Sequence, residues 1–318
     1  MARQGPSPPP LTWLFASGNR RQLALRYWLR DTAHGWLNTA VHESLKVLSI
    51  DTCSAFGAMM APTGPLRYAE SDARARRNWR ILRPEQADQV SIDAAMRNLW
   101  LSVSRTMAEF SVLHRLWPAG RIDVEGIEHV FAARDTDRPI LVALLHLGNW
   151  ETVPVTGIAL GLMGSGIYEP PENRFDHRIA VKARERFGAV LYAGSEAMRA
   201  SLRELKARRG PFIIFVDECI DGHVFAPAFG RSLPPEGNIA YTARLAWMTG
   251  AAVIPAYCVR IGNRAQFKVM VEPPIEIDRT GDKEQDLLTN IGRINAVIEP
   301  IIKRHLDQWY FLLDLDLP

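Results

Sequence analysis

The sequence predicts an α/β fold in which a mixed, mostly parallel sheet is flanked by helices and preceded by a helical N-terminal region. Three observations carry that expectation. Up to about residue 118 the apolar residues recur at helical spacing. From about residue 120, short β-rich apolar runs bounded by turn residues alternate with amphipathic helical stretches. Pro118 and Gly120 stand at the change. The expected organisation is a helical, amphipathic and membrane-proximal region over 1–118 and an α/β core over 119–318, together one continuous unit.

Taken in order, the chain opens with "MARQGPSPPPLTWLF", whose proline cluster and few apolar residues before Arg20 and Arg21 predict a disordered lead-in and not a secretory signal. Residues 20–60 read as helical. Within them, "WLNTAVHESLKVLSIDTCSAFGAMMAP" is interrupted by His42, Glu43, Lys46 and Asp51. It falls short of the roughly 18 uninterrupted apolar residues of a spanning helix. It is amphipathic, so it packs on the domain or lies in a membrane interface with Trp13, Trp28 and Trp36.

A helix follows from Tyr68 through "ARARRNWRIL", where Arg74, Arg76, Arg77, Arg80 and Arg83 give a basic segment able to meet anionic lipid or an acidic carrier protein. The long pattern "IDAAMRNLWLSVSRTMAEFSVLHRLW" closes the region. Beyond it, "PILVALLH", "AVLYAG", "GPFIIFVD" and "AAVIPAYCVR" read as buried strands, with helices at about 149–162, 174–187, 195–208 and 236–249.

Composition narrows the function. A chain of 318 residues, 47% hydrophobic and 23% charged, buries a sizeable core. A net charge of +3 is too small to argue for a nucleic-acid partner but suits a basic face toward phosphate or anionic lipid. Cys53, Cys219 and Cys258 show no CxxC spacing and cannot all pair, which fits a reducing compartment and suggests neither zinc nor disulfides. His34, His42, His114, His129, His177, His223 and His305 are scattered without metal-ligand spacing. "GLMGSG" lacks the Lys and Ser/Thr of a phosphate loop. No cofactor and no metal are called for.

One stretch carries chemistry. "LVALLHLGNWET" is an apolar strand ending at His146, with Gly148 permitting a turn, Asn149 a candidate N-cap and Glu151 in the first helical turn. Active sites of open α/β sheets lie where strands give way to helices. A neutral imidazole there takes a proton from a hydroxyl, and a carboxylate on its other nitrogen fixes the tautomer. That role is expected of Glu151. No GxSxG elbow and no neighbouring cysteine supply a protein nucleophile, so the reacting hydroxyl is expected on the substrate.

"VEGIEHVFAARDTDRPILVALLHLGNWE" resembles the motif block of the bacterial lipid A biosynthesis lauroyl and myristoyl acyltransferases, which carry an HxxxxD/E dyad. The resemblance continues in register through "IYEPPENRFDHRIAVKARERFG", "FVDECIDGHVFAPAFGR", "ARLAWMTGAAVIPAYCVR" and "IIKRHLDQWYFL", over about residues 65–312. It implies transfer of a fatty acyl chain from a thioester, on acyl carrier protein or coenzyme A, to a glycolipid hydroxyl at the cytoplasmic face of the inner membrane. His146 is then the general base and Glu151 its partner.

The same resemblance marks Arg184 and Arg186 for substrate phosphate, which suits a guanidinium fork, with Arg178 close to the same helical face. Asp217 matches the second acidic motif and is expected to shape the site. Asn149 is expected at the substrate. Three departures stand out: Tyr168-Glu169-Pro170 in place of Tyr-Arg-Pro, Asp217-Glu218 in place of Asp-Gln, and no arginine trailing Trp309. They keep two alternatives open, an acceptor such as a phosphatidylinositol mannoside and a catalytically silent lipid- or carrier-binding relative.

Overall fold

The structure is a computed structural model and describes residues 7–162, 164–220 and 222–318. Residues 1–6 of the lead-in, Met163 of "GLMGSG" and Asp221 of "FVDECIDGHVFAPAFGR" lie outside the described residues. The helical region comprises α1 (Asn19–Leu25), α2 (Asp31–Leu45), α3 (Ile50–Met60), α4 (Thr63–Arg67), α5 (Ala69–Leu82) and α6 (Gln89–Glu109).

Local chemistry sets several boundaries. The Ser49 hydroxyl accepts the Thr52 N–H at 3.1 Å and starts α3, and the Asp88 carboxylate accepts the Ser91 N–H at 3.0 Å and starts α6. The expected continuous helical run over 20–60 is broken at 46–49, and Arg26–Arg30 is wound as a π-helix. The lead-in is ordered where it is described: Leu11–Phe15 forms a 3₁₀ turn, and the Trp28 indole donates to the Pro9 carbonyl at 3.2 Å.

The core continues as β1 (Ile122–Glu125), α7 (Glu128–Asp135), β2 (Ile140–Leu144), α8 (Thr152–Ala159), β3 (Ser165–Ile167), α9 (Arg174–Glu185), β4 (Val190–Tyr192), α10 (Gly194–Ala207) and β5 (Phe212–Phe215). A small hairpin of β6 (Cys219–Ile220) and β7 (His223–Val224) follows, then α11 (Gly237–Thr249), β8 (Ala252–Arg260), β9 (Phe267–Val271) and α12 (Lys283–Arg304). Seven strands form one sheet in the order β1-β9-β8-β2-β5-β3-β4, parallel throughout except for the antiparallel β8–β9 pair. The expected mixed, mostly parallel sheet is the observed one.

Strands β2 and β8, buried along their whole length, lie at its centre, which is why they read as unbroken apolar runs. Alternation sends Leu141 and Ala143 into one apolar cluster with α11, α12, α5 and α6, and Ile140, Val142 and Leu144 into another with α3, α7 and α8. Both clusters mix residues from before and after residue 118. No helix among the described residues is long and apolar enough to cross a membrane.

Candidate active site

The sheet brings together two residues 71 positions apart. Leu144 of β2 pairs with Phe215 of the parallel neighbour β5, and the ladder continues as the Val216 N–H donates to the Leu144 carbonyl at 3.1 Å. Two residues beyond this register lie His146 and Asp217. The Asp217 carboxylate accepts the His146 backbone N–H through Oδ2 and meets the imidazole Nδ1 through Oδ1, both at 2.8 Å. Oδ2 also accepts the Trp309 indole N–H at 2.9 Å. An ionised carboxylate only accepts, so Nδ1 carries the proton and Nε2 is left as the basic nitrogen.

Aromatic rings set the imidazole plane. Phe215 stacks on it at 4.0 Å between centroids, and Phe311 and Trp150 meet it edge-on at 4.8 and 5.3 Å. The segment after α12 clamps the same turn: the Tyr310 N–H donates to the His146 carbonyl at 3.0 Å and the Gly148 N–H to the Gln308 carbonyl at 3.1 Å. Gly148 is required twice over, by φ of +54° and because a Cβ would lie 2.8 Å from the Cys258 carbonyl oxygen.

Glu151 does not partner His146. The turn places it at the N-cap of α8, from where its carboxylate reaches α9 and takes the Arg184 guanidinium in a two-pronged pair, Nε to Oε2 at 3.1 Å and Nη2 to Oε1. The carboxylate on the imidazole is Asp217, which the sequence marked only for shaping the site. Asn149 is corrected too. Its side chain caps no helix; the amide donates at 2.9 Å to Glu109, which holds Arg260 through two 2.7 Å bonds. Thr106 completes this buried brace by donating to the Gly148 carbonyl at 3.0 Å.

Beside His146 lies an apolar cavity of about 620 Å³ between the sheet and α8, walled by residues such as Val142, Leu144, Val153, Ile254 and Val269. Its polar wall includes His146, Glu151, Arg184 and Glu218. Arg184 lies over the Phe110 and Tyr168 rings at 5.5 and 5.0 Å, and its Nη1 is buried with no partner among the described residues.

Arg186 goes elsewhere. Two residues on at the end of α9, it faces a separate polar cleft of about 480 Å³ with His42, Lys46, His114 and Lys182, so the two arginines do not form one clamp. Burial, with Lys46 and Arg186 nearby, lowers the His42 imidazole to about 4; burial and Arg186 lower that of His114. Arg178 is exposed. In the basic segment, Arg76 is held by Asp72 and Asp93, and Arg83 by the Lys303 carbonyl, so part of that charge is structural.

Sequence reasoning missed the roles of Trp309, Phe215, Phe311 and the Glu109–Arg260 pair. The parallel β2–β5 register was the signal for Asp217, and it becomes visible only once the strand order is known.

The geometry is that of a base with a buried orienting carboxylate beside an apolar cavity. The sequence model of the family described as bacterial lipid A biosynthesis acyltransferase matches residues 16–315. A comparison with curated proteins found no match.

Proposed function

Since this chain belongs to the bacterial lipid A biosynthesis acyltransferase family, we propose that it moves a fatty acyl chain from a thioester to a hydroxyl of a membrane glycolipid, a lipid A precursor, with His146 as general base and Asp217 as its orienter. The thioester belongs to acyl carrier protein or coenzyme A. The observation that carries this reading is His146, its Nδ1 committed to buried Asp217, on the wall of an apolar cavity.

In this mechanism Nε2 takes the proton of the acceptor hydroxyl as its oxygen attacks the thioester carbonyl. Asp217 stabilises the imidazolium without itself taking the proton. The C–S bond then breaks, and the imidazolium returns its proton to the leaving thiolate. The cavity volume lies within the roughly 300–1,000 Å³ usual for small-ligand sites, and its aliphatic walls suit an acyl chain. Arg184 Nη1, a buried donor without a hydrogen-bond partner among the described residues, is available to a substrate oxygen. The Arg186 cleft, with Lys46 and Lys182, suits a substrate phosphate.

Attachment to the cytoplasmic face of the inner membrane is peripheral in this reading. Phe15, Leu29, Trp36 and Leu37 are exposed on the N-terminal arm, and Arg20, Arg21 and Arg30 accompany them, a pairing suited to an anionic interface. High salt followed by alkaline carbonate should strip the protein from vesicles; retention through both washes would contradict a peripheral mode.

The activity test is acyl transfer by purified protein from acyl carrier protein or acyl-CoA to a lipid A precursor. His146→Ala should lower turnover about 10²- to 10⁴-fold with the fold intact. Near-normal turnover would remove His146 from the mechanism. Mass spectra of lipid A from cells with and without the gene identify the acceptor.

A further inference from the structure

Glu218 follows Asp217 at the end of β5 and lies on the cavity wall with His146. One of its carboxyl oxygens is satisfied: Oε1 accepts the backbone N–H of Asn238, in the first turn of α11, at 2.5 Å. Asn238 is itself fixed, its amide donating to the Phe215 carbonyl at 2.9 Å. The backbone at Gly237 approaches so closely that a Cβ there would lie 3.0 Å from Oε1. The other oxygen, Oε2, is buried and has no hydrogen-bond partner among the described residues.

An ionised carboxylate in that position would stand beside the Asp217 carboxylate with one oxygen solvated by nothing. A buried, unpaired charge of this kind neutralises instead. We propose that Glu218 acts as a neutral carboxylic acid, Oε1 holding the start of α11 and the Oε2–H serving as a hydrogen-bond donor on the cavity wall for the carbonyl oxygen of the acyl group. Its partner in the substrate rests on the acyl-transfer reading; its protonation state does not.

The surroundings agree. Burial pushes the Glu218 carboxyl up to about 8; the Asp217 charge adds to this, and the Asn238 N–H opposes it. Among the described residues, the other titratable and charged groups near it include the Cys219 thiol of β6, itself raised by burial and by Asp314 with Arg74 opposing, His146 after β2, and the Glu151–Arg184 pair on the cavity wall. With a folded value above the unfolded one, the native state holds this proton more tightly than the unfolded chain does. Glu218 therefore costs stability increasingly as pH rises from about 4.5 to about 8, the opposite of a salt-bridged carboxylate.

Glu218→Gln keeps an acceptor for the Asn238 N–H and a donor for the cavity but cannot ionise, and it supplies the test. Infrared difference spectra of wild type against Glu218→Gln should show the C=O stretch of a protonated carboxyl at pH 6–7 that fades above about pH 8. Over pH 5–9 the variant should gain thermal stability relative to wild type. In kcat/KM, wild type should fall about tenfold per pH unit above about pH 8. Glu218→Gln should lack that alkaline limb and exceed Glu218→Ala, which should be low throughout. No protonated-carboxyl band at pH 6, or an unchanged alkaline limb in Glu218→Gln, would overturn the proposal. A band with no acyl transfer to any tested acceptor would overturn the acyl-transfer reading and the donor role while leaving the neutral carboxyl in place.

Discussion

Two arginine–glutamate pairs flank the turn that carries His146, and their surroundings differ. Arg260–Glu109 is sealed: the side chains are 6% and 0% exposed, both oxygens of Glu109 are bonded, and Asn149 ties the pair to the turn. Arg184–Glu151 opens on the cavity, with Nη1 left over and the side chains 19% and 5% exposed. The same ionic chemistry braces the turn on one side and presents a donor to substrate on the other. Residue type alone does not separate these roles, and neither does a spare donor, since Arg260 Nε is also buried without a hydrogen-bond partner among the described residues; access to the cavity does.

Breaking the sealed pair should cost the most. Glu109→Ala leaves Arg260 buried without its counter-charge, and such losses run to about 3–5 kcal/mol of stability, read by chemical denaturation. A loss under about 1 kcal/mol would mean that the pair is no brace. At the open pair the loss should appear in kinetics. Arg184→Ala should lower kcat/KM about ten- to hundred-fold, the range of a charge-assisted hydrogen bond, with lysine restoring only part of it. Arg186→Ala, on the exposed cleft, should act more weakly and on KM for the phosphorylated partner alone, with stability changed by no more than about 0.5 kcal/mol. Equal effects of the two arginine variants on one substrate would argue for a shared clamp and against the separation of the two cavities.

The uneven legibility of this chain has physical causes. Strands β2 and β8 are buried apolar runs and β5 is an apolar, half-buried one, and the four helices expected after β2 each match an observed one to within about three residues at either end. Strand β1 carries two acids in four residues, β3 is three residues including Gly166, and β9 alternates around Lys268, so none stands out as an apolar run. In the site, His146 and the turn at Gly148 were readable because the signal is local. Asp217 was not, since its place beside His146 comes from a parallel pairing across 71 residues. The first-turn position of Glu151 and the HxxxxD/E pattern point to it as the partner, yet entering α8 turns it toward Arg184 of α9. Asn149 and Glu109 belong to one network, bonded to each other across 40 residues and, through Glu109, to Arg260 across 151.

The carboxylate serving His146 is that of Asp217 and not that of Glu151. Comparing kcat of purified Asp217→Asn and Glu151→Gln in one acyl-transfer assay tests it most directly, with circular dichroism to confirm that both are folded. Asp217→Asn can donate its amide to Nδ1 and stabilise the wrong tautomer, and it removes the charge opposite the imidazolium. It should therefore lose on the order of 10²- to 10⁴-fold in kcat. Glu151→Gln weakens only the hold on Arg184 and should lose about tenfold or less. The reverse order, with Glu151→Gln the more damaged and Asp217→Asn close to wild type, would contradict the account.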